Sequence, residues 1–285
     1  MRVLTILLFS ILPLFAEDFK FAVVADCQYC DQPDRGKRMY KSSLERFQKF
    51  VDFTKDKDLK FGVHLGDFID KDFESFAPLL KISKEMKYPF YHVLGNHDFS
   101  VKNEQKKDVP KLLGMPARYY SFKVKNWIFA ALDGNDLSFH GHPKDSEKYK
   151  ESEKYFIENK IKSAKYNGGM SKEQIKWLKT LLEKADAAEE NVVLFSHFPV
   201  FPANSHNLWN DKEIVSLITQ HKSVKAYING HNHKGNYGVK EGLHFFTQKG
   251  MVENVEASFS IISVEKNKLK LKGFGAVEDR EFTLR

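Results

Sequence analysis

Five apolar runs in this 285-residue chain each end on a short polar motif, and this repeated pattern constrains the fold more than any other feature. Asp26-Cys27-Gln28 follows FAVVA, Gly66-Asp67-Phe68-Ile69-Asp70 follows FGVHL, and Gly95-Asn96-His97-Asp98 follows YHVL. Ser196-His197 follows VVLF, and Gly230-His231-Asn232-His233 follows AYIN. Short runs of Val, Phe, Ile and Ala bounded by such motifs read as buried strands. Helix-period stretches lie between them, and strands alternating with helices predict an α/β sandwich. The polar motifs then fall at strand ends, where open α/β sheets bind their ligands.

The expected strands are 19–25, 61–65, 90–94, 192–195 and 224–228, with 119–124 and 127–132 forming a hairpin at Lys125-Asn126. The expected helices are 37–55, with Leu44, Phe47, Phe50 and Val51 on one face, then 73–87 and 211–221. A further helix runs from Ser171 to about 187, with Ser171 as N-cap and Gln174 completing a capping box. Residues 134–170 are polar, with helical periodicity around 149–164, and read as a cap-like insertion over the scaffold. From Tyr237 onward, short strands alternate with Gly and Lys-Asn turns.

Hydrophobic residues at 42% and charged residues at 29% fit a globular chain rather than a disordered one, and 25 Phe supply a large aromatic core. The start differs: Arg2, an apolar run over 3–15, then Ala16 before Glu17-Asp18. The run is well short of the ~20 apolar residues that span a bilayer. Its order is that of a secretory signal peptide, so export is expected, secreted or periplasmic, with no stable membrane span after processing. An uncleaved anchor is the alternative, and no Cys follows the run to carry a lipid. The net charge of +7 attracts anionic substrates, but the lysines are interleaved with Glu and Asp as on a solvated helix face. The only cysteines, Cys27 and Cys30, are spaced C-x-x-C without a second pair, which gives no thiolate zinc site. They read as small buried residues near a strand end, with a local disulfide as the alternative.

Carboxylate, amide and imidazole ligands suit divalent manganese, iron or zinc. Two ions need a bridging carboxylate to stand about 3.5–4 Å apart. The five motifs resemble the calcineurin-like metallophosphoesterase family from about Phe19 to Glu253. That resemblance implies a four-layer αββα sandwich over 17–285 with the metals at the C-terminal strand ends. It implies one ion on Asp26, Gln28, Asp67 and His233, and another on Asp67 as bridge, Asn96, His197 and His231. His97 would be general acid or transition-state stabiliser, oriented by Asp98 or Asp70.

Gln28 departs from the broad family, which has His there. "ADCQY", "RMYKSSL", "LGNHDF", "NGGMSKEQIKWL", "SHFPVFP" and "GHNHKGNYGVKEGLHF" resemble a narrower branch, the manganese-dependent ADP-ribose/CDP-alcohol diphosphatases, where Gln also stands. An amide oxygen in place of imidazole hardens that site towards manganese or magnesium over zinc. The resemblance implies a small phosphorylated substrate, a nucleotide conjugate. Nucleic acid is not expected, since nucleases of this fold usually carry extra duplex-binding domains and little chain remains for one. A phosphomonoesterase or phosphodiesterase is the alternative.

Other residues have plainer readings. His64 and His92, inside strands, read as core or supporting histidines, and His140, His142, His206, His221 and His244 as surface residues, with an approach to substrate as the alternative, above all for His206 after the SHFP motif. Arg38, with Arg35 nearby, is a candidate phosphate contact. Tyr29, Phe68, Phe99, Phe198 and Trp209 lie beside the motifs and are candidates to stack on a base.

Overall fold

A computed structural model describes residues 18–285; the export segment expected at 1–16 lies outside these described residues. Two six-stranded sheets face each other. In the first, β1 (Phe19–Val24), β2 (Phe61–His64) and β3 (Phe90–His92) run parallel. The second holds β4 (Tyr120–Val124), β5 (Trp127–Ala131), β6 (Asn191–Ser196), β7 (Val224–Asn229), β8 (Asn236–Lys240) and β9 (Leu243–Thr247), in the order β4-β5-β6-β7-β9-β8. The tail strands β10 (Phe259–Glu265), β11 (Lys268–Phe274) and β12 (Arg280–Thr283) return antiparallel to complete the first sheet beside β1.

Side chains on a strand alternate between its two faces, and the middle strands use both. Along β5 and β6, Phe129, Ala131, Val193 and Phe195 enter the core between the sheets. Their neighbours Ile128, Ala130, Val192 and Leu194 enter a second core under two outer helices. The first sheet carries α1 (Ser43–Thr54) and α2 (Phe76–Ser83), which add Phe47, Phe50, Val51 and Leu79 to the main core. A short α3 (Val109–Leu112) and α4 (Glu147–Glu158) follow, and α5 (Lys172–Ala187) and α6 (Asp211–Thr219) cover the second sheet. The result is the expected αββα sandwich.

Several element bounds differ from the sequence reading. The helix expected from 37 begins only at Ser43, because the backbone before it has distant partners: Met39 N–H donates to the Val252 carbonyl at 3.0 Å. The helix expected over 73–87 is a 3₁₀ turn followed by α2, which stops at Ser83. The helix in the insertion ends at Glu158, and Lys160 turns left-handed at φ 50°. Ser171 does cap α5, accepting from Gln174 N–H at 3.2 Å, but the box is half made. Ser171 N–H donates to Asp136, and the Gln174 amide instead brackets the Asp133 backbone on both its N–H and its carbonyl. That bond ties the insertion into the scaffold, where Asn135, Ser138 and Asn167 are fully buried.

Candidate metal centre

The parallel strands of both sheets end at one rim, and four of the predicted ligand residues leave their strands through left-handed backbone. Asp26, Gln28, Asp67 and His231 have φ of 53°, 45°, 58° and 68°. Each such turn costs a non-glycine residue about 1–3 kcal/mol, so the packing around it must impose it. Asp98 supplies part of that packing: its buried carboxylate accepts from the N–H groups of Asp67 (3.0 Å), Phe68 (2.7 Å) and Gly95 (2.8 Å). Burial and the neighbouring Asp67 carboxylate push Asp98 up to about 7, against the pull of those N–H donors. Gly95 permits the approach, because a Cβ there would collide with the backbone and carboxylate of Asp67. Asp98 therefore clamps two loops, and the role of orienting His97 falls to Asp70.

Three imidazoles have one nitrogen committed to an outer acceptor. His197 Nδ1 lies 2.8 Å from the Leu65 carbonyl, so it carries the hydrogen and Nε2 keeps its lone pair. His233 Nδ1 donates in the same way to Glu253 at 2.9 Å. For His231 the argument runs through Asn167, whose amide nitrogen donates to the Ser205 carbonyl at 2.8 Å. Asn167 Oδ1 must then accept from His231 Nε2 at 2.9 Å, leaving the lone pair on Nδ1.

The lone pairs of His197 Nε2 and His231 Nδ1 face each other at 3.1 Å, with Asp67 Oδ2 3.3 Å from His197. Two lone pairs at that distance repel unless a positive charge, a proton or a metal cation, lies between them. Ligands about 2.1 Å from one octahedral ion stand roughly 3 Å apart, so the spacing fits a shared cation. Asp67, His197 and His231 present one ligand atom each within 4.8 Å of one another. On the other side His233 Nε2 lies 3.6 Å from Asp26 Oδ1 and 3.3 Å from the Gln28 amide, which reaches Asp67 Oδ2 at 3.0 Å. Two amide oxygens of residues lining the cavity, Gln28 Oε1 and Asn96 Oδ1, are buried without a hydrogen-bond partner. Gln28 turns its NH₂ to Asp67, and a half-turn of the amide brings Oε1 to that position at no cost in volume. Burial opposes charge on His197 and His233, yet Asp67 raises the first to about 9, and Asp26 with Glu253 raises the second to about 10. Both shifts report a buried surplus of negative charge. The residues fit two divalent cations.

His97 stands at the edge of this group. Its Nδ1 donates to the Asp70 carbonyl at 3.2 Å and lies 3.1 Å from the Asp70 carboxylate, so Nε2 faces the cavity beside Arg38 Nη1 at 3.5 Å. Burial works against charge on His97, but Asp67 and Asp70 outweigh it and raise its pKa. A cavity of about 470 Å³ opens over Gln28, Asp67, Asn96, His97, His231 and His233, with Arg38, Tyr166, His206, Lys234 and Glu253 on its walls.

The aromatic candidates sit elsewhere. Phe68, Phe99, Phe198 and Trp209 are buried. Phe198 backs His197 and His231, Trp209 packs against Phe139 and Phe156, and Arg118 lies over Phe99. Tyr29 is held in a bridge to Ile69 and does not line the cavity. The rings at the cavity are His206 and Tyr166, the latter 43% exposed. Arg35 pairs with the Arg38 backbone, and only Arg38 reaches the cavity. Of the histidines expected at the surface, His140 and His142 are half-buried, His142 Nε2 lying 3.0 Å from the Asp136 carbonyl. His244 is buried between Tyr237 and the Thr283 carbonyl. His221 pairs with Asp186 at 2.7 Å. His64 and His92 are buried, and burial lowers both, His92 to about 3. Cys27 and Cys30 are buried free thiols. Asn167 and Glu253 were absent from the sequence-predicted site. A lone Asn before Gly-Gly and a lone Glu in a loop carry no periodic signal.

The description calcineurin-like phosphoesterase matches residues 19–235. The chain belongs to this family. It is 33% identical over 301 residues to the manganese-dependent ADP-ribose/CDP-alcohol diphosphatase of Oryza sativa subsp. japonica, covering 92% of this chain and 93% of that protein. The protein of the same description from Xenopus tropicalis is 31% identical over 319 residues, with 92% and 93% covered. The structure superposes on that of a dimetal phosphatase from Danio rerio with a TM-score of 0.85 at 26% identity, over 94% of this chain and 99% of that one.

Proposed function

We propose that this calcineurin-like phosphoesterase hydrolyses the diphosphate bond of nucleotide conjugates such as ADP-ribose or CDP-alcohols, using two divalent cations, by preference manganese. The observation that carries this reading is the convergence of His197 Nε2, His231 Nδ1 and a carboxylate oxygen of Asp67 within 4.8 Å of one another. Asp67 would bridge the two ions. Asp26, Gln28 and His233 would complete one, and Asn96, His197 and His231 the other.

Two divalent cations bound there supply Lewis acidity and a water of lowered pKa. The chain's own residues do the rest. Asp98 holds the strand-end loops in place, and Asp70 aims His97 so that Nε2 faces the cavity. A proton on Nε2 can pass to the leaving oxygen or stabilise charge on the phosphoryl group. Arg38, beside His97, adds a fixed positive charge for the second phosphate of a diphosphate. The exposed ring of Tyr166 and the imidazole of His206 offer the flat surfaces that the buried Phe99 and Trp209 do not.

The name of the rice and frog relatives supports the diphosphate substrate, and the Gln28 amide supports the harder metal. Residues 1–16 are proposed to be an export signal, so that the enzyme works outside the cytoplasm; cell fractionation of the full-length chain tests this. Among the described residues no helix is long and apolar enough to cross a membrane. The decisive experiment is a panel of ADP-ribose, CDP-alcohols, phosphomonoesters and phosphodiesters assayed on metal-stripped protein reloaded with Mn²⁺ or Zn²⁺. Mn²⁺-dependent cleavage of the first two is expected. Preference for monoesters, or equal activity with Zn²⁺, would sink the assignment.

A further inference from the structure

The two halves of the centre are braced from outside by residues of different kinds, on different segments. Behind His231 stands Asn167, a neutral amide from the insertion, fully buried and tied to Ser163 Oγ and the Ser205 carbonyl, both at 2.8 Å. Behind His233 stands Glu253, a partly exposed carboxylate from the loop after β9, with Arg38 Nε 4.0 Å away on its other side. Each fixes a tautomer, and the two tautomers are opposite. Asn167 leaves His231 its Nδ1 lone pair, whereas Glu253 leaves His233 its Nε2 lone pair.

We propose that Asn167 and Glu253 are positioning residues that set the affinities of the two metal ions separately, Asn167 for the ion of Asn96, His197 and His231, and Glu253 for the ion of Asp26, Gln28 and His233. This rests on the metal-centre reading above. The physical reason is local. Asn167 can offer only Oδ1 to His231, because a backbone carbonyl occupies its NH₂ side. Without it, the hydrogen of the neutral ring is free to move to Nδ1, where it would block coordination, and nothing opposes rotation of the ring. The Glu253 carboxylate additionally makes His233 a stronger electron donor than an amide would. The insertion is thereby part of one metal site rather than a cover over both.

The test is a Mn²⁺ titration of the metal-stripped full chain, with free ion followed by electron paramagnetic resonance and the metal-free fold checked by circular dichroism. Loss of an outer partner of this kind typically costs 10–100-fold in metal affinity. Asn167→Ala should weaken one of two Mn²⁺ equivalents by about that factor and spare the other; Glu253→Ala should weaken the other. Glu253→Gln, whose amide oxygen still accepts from Nδ1–H, should recover most of that loss. On a His231→Ala background Asn167→Ala should change nothing further, while on His233→Ala it should weaken the remaining ion by about the same 10–100-fold factor. Equal weakening of both equivalents by either variant overturns the inference, as does no weakening, or a Glu253→Gln protein no better than Glu253→Ala. A wild-type chain that takes up no Mn²⁺ overturns the metal centre itself. Glu253, being partly exposed, keeps the test open should the Asn167 variant fail to fold.

Discussion

The space between the two sheets and the rim where those sheets end are built from adjacent residues of the same strands, yet they obey different physics. Between the sheets, Phe21, Phe61, Phe129 and Phe195 form an aromatic cluster, with Phe21 and Phe61 stacked at 4.7 Å and Phe61 edge-on to Phe129 at the same distance. That packing is non-directional, and its energy grows with area removed from water. A few residues on, at Asp26, Asp67 and His197, buried polar atoms face one another, and at Asp26 and Asp67 the backbone is held left-handed. The rim's left-handed turns are held by the packing and hydrogen bonds around them, whereas the core is held by burial alone.

That contrast can be tested from either side. The largest effect belongs to Asp67→Asn, which removes the charge shared by both half-sites. Activity should fall by about 10³-fold or more, on the scale of losing a principal transition-state electrostatic contact. Metal content should fall with it while the metal-free protein stays folded by circular dichroism; a folded, two-metal Asp67→Asn enzyme would contradict the comparison. Phe129→Ala tests the opposite direction. It should cost about 3–5 kcal/mol of stability by denaturant unfolding, with the Mn²⁺ stoichiometry of the protein that remains folded unchanged. The smallest effect is expected from His97→Ala. A departing phosphate needs little help, so cleavage of ADP-ribose should drop only about tenfold, against about 10²–10³-fold for an ester with an alcohol leaving group. Equal losses on both substrates would show that His97 acts on the phosphoryl oxygens rather than on the leaving group.

The core was legible in the sequence because its rule is periodic. The runs FAVVA, FGVHL and VVLF announce buried strands wherever they sit, and β1, β2 and β6 lie where those runs predict. Bounds were less legible: the helix expected from residue 37 waits until Ser43 because the Val252 carbonyl, far along the chain, takes the Met39 N–H. At the rim the motifs gave the candidate residues but not their partners. Asp98 and Asp70 were equivalent candidates for orienting His97, and only geometry separates a carboxylate holding three backbone N–H groups from one lying 3.1 Å from the imidazole. Phe99 and Trp209, adjacent to motifs in sequence, turn inward, while Tyr166 reaches the cavity from the insertion.

By itself the sequence determined the strand–helix alternation of an α/β sandwich, the strand ends at which chemistry gathers, and the set of carboxylate, amide and imidazole groups available there, while the four-layer αββα order came from the family resemblance. Hydrophobic periodicity and ligand type are properties of short segments, so they survive without coordinates. Tertiary structure alone decided which nitrogen of each histidine faces inward, that Asn167 and Glu253 stand behind two of them, and which aromatic rings meet a substrate. Those outcomes depend on hydrogen bonds between residues 20 to 132 positions apart, such as His233 with Glu253, His231 with Asn167 and His197 with Leu65. A hydrogen bond is directional and short-ranged, and no local pattern records where its partner will be.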